Sequence, residues 1–104
     1  MTMNCAAVCC LALCLATPAF AADSGADIYK ARCAMCHGDD GTASSPAGKL
    51  FKAASFRDPA IIKISDADRL EIVKKGKDKM PSFGDKLKDD QIKAVLAYIR
   101  TLEK

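Results

Sequence analysis

The sequence is poor in aromatic side chains and has a single histidine. Its 104 residues include no Trp, two Tyr and four Phe, and this length is typical of one domain. A domain this small buries a limited apolar core, so a large apolar group bound in the interior would supply part of what is missing. The single histidine excludes any site that needs two histidines from one chain.

Charged side chains are absent before Asp23. All residues from Cys5 to Ala16 are apolar, and residues 19–21 (Ala-Phe-Ala) match the small-x-small pattern of a signal-peptidase site. We therefore expect residues 1–21 to be a cleaved export signal and residues 22–104 to form the mature domain.

An uncleaved membrane anchor is the alternative for this leader. Residues 1–4 lack the positive charge that export signals usually carry. The apolar stretch that follows also approaches the ~20 residues of a membrane-spanning helix. Both features leave this alternative open.

The chain has six cysteines, but the leader contains four of them: Cys5, Cys9, Cys10 and Cys14. The mature domain keeps only Cys33 and Cys36. Two cysteines can form only one disulfide, and one between residues so close together cannot hold a domain in place. A disulfide-rich scaffold is therefore excluded.

Three segments of the mature domain have the apolar spacing of helices. The first is predicted from about Gly25 to Ala34. The second begins at Ser65, whose Ser-x-x-Asp signature is typical of a helix start, and ends before Gly76. The third runs from about Asp89 to Leu102, and its apolar stripe consists of Ile92, Val95, Leu96, Ile99 and Leu102. The predicted fold class is therefore all-α.

The connection from Gly38 to Ile64 has no strand-like alternation and contains several Gly and Pro residues. A structureless connection of this length is unusual inside a small domain. It becomes reasonable if the loop wraps around a bulky ligand.

Residues 33–37 (Cys-Ala-Met-Cys-His) form the C-x-x-C-H signature of covalent haem attachment. The thiols of Cys33 and Cys36 add to the two haem vinyl groups, whose separation the two-residue spacer matches. The next residue, His37, then lies under the iron and ligates it.

Other uses of this motif agree less well with the rest of the chain. A redox dithiol is expected in a βαβ context, which the sequence does not indicate. A closed zinc site needs a fourth soft ligand, which the mature domain lacks. A disulfide between Cys33 and Cys36 would leave His37 without a role. Haem attachment is therefore the favoured interpretation.

From Gly25 to its end the chain resembles a class I c-type cytochrome of the short, single-haem bacterial type. The resemblance implies a cytochrome c fold with three main helices and loops wrapped around one covalent haem c and its iron. It also implies a contact of Gly25 and Tyr29 in the first helix with Tyr98 in the last. Pro46 corresponds to the residue whose carbonyl holds the other ring nitrogen of His37.

The segment Lys79-Met80-Pro81-Ser82-Phe83-Gly84 matches the sixth-ligand loop of this family, with Met80 as the axial methionine. Elimination favours the same residue, because Met1 and Met3 leave with the leader and Met35 lies inside the attachment loop. The alternative is that Met80 belongs to the core, with the sixth site open or held by Lys77 or Lys79.

The family resemblance implies an electron carrier that transfers one electron by an outer-sphere route and is not an enzyme. A haem subunit of a larger redox complex is one alternative. A peroxidase or a gas sensor is another, and each requires an open iron face. A peroxidase also needs distal acid–base groups, for which a second histidine is missing.

Positive charge is concentrated between residues 74 and 88, which hold six lysines against two aspartates. The lysines are Lys74, Lys75, Lys77, Lys79, Lys86 and Lys88. This cluster predicts docking to an acidic patch on a redox partner, with a solvated face as the alternative. We expect a periplasmic monomer that does not bind nucleic acid and meets a membrane only through a partner or an uncleaved leader.

Overall fold

The computed structural model describes residues 24–104, and the expected export signal lies outside this range. The helices are α1 (Gly25–Arg32), α2 (Ala34–His37), α3 (Pro46–Leu50), α4 (Pro59–Ile62), α5 (Asp66–Lys75) and α6 (Asp89–Leu102). Between residues 24 and 104 there is no β-strand, only an isolated bridge between Lys77 and Met80. None of these six helices is long and apolar enough to cross a membrane. The all-α prediction is confirmed.

The two later main helices have the predicted limits. The Ser65 hydroxyl accepts a hydrogen bond from the Asp68 amide at the start of α5, and Gly76 follows its last residue. Helix α6 runs over Asp89–Leu102, with Ile92 and Val95 fully buried. Capping and apolar periodicity therefore determine both helices locally.

The first predicted helix is divided in two. Helix α1 ends at Arg32, and Cys33 begins a separate turn, α2, that contains the rest of the attachment motif. The Cys33 amide still donates to the Tyr29 carbonyl at 2.8 Å, so the hydrogen bonding of α1 continues up to the first residue of the motif.

Helices α1 and α6 cross in close contact. A Cβ at Gly25 would overlap the Ala94 carbonyl, so only glycine permits this approach. One turn further along, the rings of Tyr29 and Tyr98 lie 5.2 Å apart between centroids. The contact that the family resemblance implies is confirmed, and it joins the two ends of the described chain.

The long connection contains two short helices that the sequence analysis did not predict. Ser45 caps α3 and Asp58 caps α4, each through a side-chain oxygen that accepts a backbone amide hydrogen bond. In each helix a proline follows directly at the first position, where its missing N–H costs nothing. The connection is therefore ordered by its own caps.

Candidate haem site

A cavity of about 500 Å³ opens beside the attachment motif, a volume within the range of small-molecule and cofactor sites. Side chains from both halves of the described chain surround it. The predicted site residues Cys33, Cys36, His37 and Met80 all line it. Apolar side chains of α5 and α6 form another part of its lining, among them Val73, Val95, Leu96 and Ile99.

The two thiols are held by the short helix α2. Cys33 caps this helix and Cys36 lies in its only turn, next to His37. Both are free thiols, and burial raises the pKa of Cys33 to about 11. Gly48 of α3 packs against the Cys36 carbonyl, where a Cβ would overlap the oxygen, so α3 supports the motif from outside.

The His37 ring has two fixed contacts. Its Nδ1 donates to the Ala54 carbonyl at 2.9 Å, and its plane stacks on Phe56 with centroids 4.5 Å apart. Burial lowers the pKa of His37, although the hydrogen bond to Ala54 opposes this shift. With Nδ1 used as a donor, the neutral ring keeps the lone pair of Nε2, which is the form that ligates a metal.

The role predicted for Pro46 is wrong. The acceptor of the His37 hydrogen bond is the Ala54 carbonyl, eight residues further along the same connection. Pro46 instead occupies the first position of α3, after Ser45. The Ser45 hydroxyl donates to the Met35 carbonyl and accepts from the Gly48 amide, each at 3.0 Å, and this ties α3 to the attachment loop.

Met80 lies at the end of a tight turn. The Met80 amide donates to the Lys77 carbonyl at 2.9 Å, and the Lys77 amide donates back at 3.2 Å. Asp78, inside the turn, has a φ of +52°, a left-handed conformation that non-glycine residues rarely adopt. The Phe83 amide donates to the Val73 carbonyl at 2.9 Å, which anchors the loop on α5.

These residues fit a covalently bound haem. Two free thiols, an imidazole with an available Nε2 and a thioether sulfur line one largely apolar cavity, and they match the donor set of His/Met haem c. When bound, the group supplies an iron that accepts and releases one electron. The chain's own part is to orient the imidazole through Ala54 and Phe56 and to exclude water with apolar walls.

Comparison with known proteins identifies the family. Residues 20–99 match the family described as cytochrome C oxidase, cbb3-type, subunit III. A cytochrome c6 from Synechococcus sp. is 39% identical over 88 residues, which cover 82% of this chain and 75% of that relative. The chain belongs to the c-type cytochromes. A second cytochrome c6, from Nostoc sp., is 39% identical over 85 residues, or 80% of this cytochrome and 74% of that relative.

A solved structure of the c-type cytochrome KustC0563 has the same fold as this cytochrome. It superposes with a TM-score of 0.71 at 30% identity and covers 78% of this chain and 99% of its own. The predicted fold and cofactor are therefore confirmed. This cytochrome carries one covalently bound haem c and transfers single electrons to and from redox partners.

The six lysines of the basic segment are not equivalent in this cytochrome. Lys74 forms an ion pair with Asp89 at 3.2 Å, and Lys75 forms one with Glu71 at 2.9 Å. Lys77 and Lys79 line the cavity. The other two, Lys86 and Lys88, are exposed on the loop that follows.

Sequence reasoning missed several residues of the site. Ala54 acts through a backbone carbonyl, for which its side chain gives no signal. Phe56 is one of only four phenylalanines, so a buried role could have been inferred from its rarity. Arg69 also lines the cavity, and as one of three cations in α5 it could not be distinguished from a surface residue in the sequence.

Proposed function

We propose that Cys33 and Cys36 form the thioether bonds and that His37 and Met80 ligate the iron, so that this cytochrome is an electron carrier and not an enzyme. The observation that carries the proposal is that all four side chains line one cavity while the Nδ1 of His37 is occupied by Ala54. Two protein ligands leave no position on the iron for a substrate. A weak thioether ligand also favours ferrous iron and raises the reduction potential.

The ferric absorption spectrum of the purified holoprotein tests this ligand set. We expect the haem to stay attached on denaturation and the weak long-wavelength band of sulfur–iron(III) ligation to be present. Met80→Ala should abolish the band and lower the reduction potential. Met35→Leu is the matched control, because Met35 is 76% exposed and lies in the attachment motif.

Other spectroscopic results would overturn the assignment. A covalent haem without the band in the unmodified protein would remove Met80 from the iron. If Lys77→Ala or Lys79→Ala then changed the ferric spectrum, a lysine would be the ligand. If neither did, and small ligands bound the ferric protein rapidly, an open-site peroxidase or sensor would replace the carrier.

We further propose that the exposed lysines around the Met80 loop dock onto an acidic patch of the redox partner. Lys77, Lys79, Lys86 and Lys88 support this, because their ammonium groups form no ion pair with another residue between 24 and 104. Electrostatic steering of this kind speeds association and is weakened by salt.

The compartment and the oligomeric state complete the proposal. We place the mature chain in the periplasm as a monomer, with residues 1–21 removed on export. Fractionation of the producing cell with N-terminal sequencing tests the location and the cleavage. Size-exclusion chromatography of the mature holoprotein separates a free carrier from a permanent subunit of a larger complex.

A further inference from the structure

A charged side chain lies in the wall of the haem cavity. Arg69 is a buried charged residue and is only 5% exposed. It lines the cavity beside apolar neighbours such as Ile72 and Leu96. Burying a lone cation is strongly unfavourable, so a guanidinium in this position requires compensation.

Glu103 supplies the compensating charge. Its Oε1 lies 2.6 Å from Nη2 of Arg69, and its side chain is 7% exposed. The same carboxylate accepts from Nη1 of Arg100 at 3.1 Å, and Arg100 continues the network to Asp66 at 2.8 Å. The Asp66 side chain is 74% exposed. The network is therefore neutral, with one desolvated end at Arg69–Glu103 and one hydrated end at Asp66.

The same two arginines hold the end of helix α4. Arg69 donates through Nη2 to the Ile61 carbonyl at 2.7 Å and through Nε to the Ile64 carbonyl at 3.2 Å. Arg100 donates to the Ile62 and Ile64 carbonyls, each at 2.8 Å. The Arg69 guanidinium is thus fixed at the cavity by backbone acceptors as well as by Glu103.

We propose that the Arg69–Glu103 pair sets the reduction potential of the haem by keeping this cavity wall electrically neutral. Reduction adds one electron to ferric haem and removes one positive charge, with no proton transferred. An unbalanced cation beside the haem would destabilise the ferric state more than the ferrous state, and an unbalanced carboxylate would do the opposite. Such effects are strong because the pair is shielded from water.

Opposite shifts from the two partners are the signature of this role. Glu103→Gln leaves Arg69 unbalanced and should raise the potential. Arg69→Gln leaves two carboxylates, Glu103 and Asp66, against the single cation of Arg100, so the network gains a net charge of −1 and the potential should fall. The double variant should return toward the original value. We expect each single change to shift the ferric–ferrous equilibrium by about tenfold, or about 59 mV for a one-electron couple.

Asp66→Asn is the matched control, because it removes a carboxylate from the hydrated end of the same network. Potentiometric titration of the unmodified holoprotein and of these four variants measures the effect at low and high salt. If Glu103→Gln and Asp66→Asn shift the potential equally, or if both partners of the pair shift it in one direction, the proposal is wrong. Should Arg69→Gln fail to fold, the comparison of Glu103→Gln with Asp66→Asn still decides.

The inference rests on the proposed electron-carrier function, and the same samples separate the two. The sulfur–iron band reports whether Met80 remains a ligand. The potentiometric titration reports how the charges of Arg69 and Glu103 affect the reduction potential. A purely structural role for the pair predicts a lower midpoint of denaturant unfolding in Glu103→Gln at an unchanged potential.

Discussion

His37 and Ala54 are joined by a hydrogen bond of 2.9 Å that spans 17 residues of the chain. The donor is a ring nitrogen of the attachment motif, and the acceptor is a backbone carbonyl in the connection from Gly38 to Ile64. The orientation of the imidazole therefore depends on the path of this connection, which supplies both the Ala54 carbonyl and the Phe56 ring on which the imidazole stacks.

Pro46→Ala should consequently leave the haem ligation unchanged. The substitution removes a residue that starts α3 and leaves the Ala54 carbonyl in place. We expect an unchanged sulfur–iron band and a loss of less than about 1 kcal/mol in the free energy of unfolding, the usual effect of losing a well-placed proline. Loss of the band would show that position 46 does orient His37.

Gly25→Ala should destabilise the crossing of the terminal helices. The new Cβ would overlap the Ala94 carbonyl, and neither backbone can move without separating Tyr29 from Tyr98. Overpacking of this kind costs about 1–3 kcal/mol. Denaturant unfolding measures the loss, and Lys30→Ala on the exposed side of the same helix should change stability by less than about 0.5 kcal/mol. Equal effects of the two substitutions would contradict the close contact.

Asp40 should make the stability depend on pH in the acid range. Its Oδ1 accepts from the Thr42 amide at 3.0 Å and from the Thr42 hydroxyl at 2.7 Å, and these bonds lower the pKa of Asp40. Because the folded pKa lies below the unfolded one, the stabilisation is complete above the unfolded value. It is lost as the pH falls through the folded value.

Asp40→Asn therefore should be less stable than the unmodified protein near neutral pH and equally stable in strong acid. Unfolding curves recorded from pH 7 down to pH 2 test this convergence. Asp39→Asn is the control for removing a neighbouring exposed carboxylate. A difference that persists at the lowest pH would mean that Asp40 acts through something other than its charge.

Lys79→Gln should slow electron transfer with an anionic oxidant. Lys79 lies on the exposed loop that lines the cavity, so its charge would attract hexacyanoferrate(III) toward the haem. Stopped-flow oxidation of the ferrous protein should give a slower rate and a weaker salt dependence than in the unmodified protein. Lys30→Gln, on α1, should have a smaller effect. If Lys79→Gln and Lys30→Gln slowed the reaction equally, the attraction of the oxidant would depend on the net charge of the protein and not on the position of Lys79.

Much of the fold follows from short-range signals in the sequence. Ser65 and Gly76 mark the ends of α5 by capping chemistry, and the apolar stripe of α6 extends over its full length. The two short helices were missed although each begins with a cap followed by proline, at Ser45 and at Asp58. The cap and the proline are visible in the sequence at both places. The helices were missed because each is too short to show apolar periodicity.

The site was predictable only where a local motif specifies it. Residues 33–37 and Met80 are fixed in type by the chemistry of haem attachment and ligation. The acceptor for His37 is a peptide carbonyl, which every residue possesses, so the sequence offers no means of choosing Ala54 over Pro46. The partnership of Arg69 with Glu103 joins α5 to the residue that follows α6, and only the packed structure brings these two charges together.

Some residues that line the cavity are added to the growing chain long after the two attachment cysteines. Cys33 and Cys36 lie early in the described chain, whereas Val95, Leu96 and Ile99, which also line the cavity, lie near its end. In a polypeptide delivered N-terminus first, the thiols stay accessible while the covering helix is still being delivered. The order of the elements thus provides an interval in which haem can be joined to an open chain before α6 closes the cavity around it.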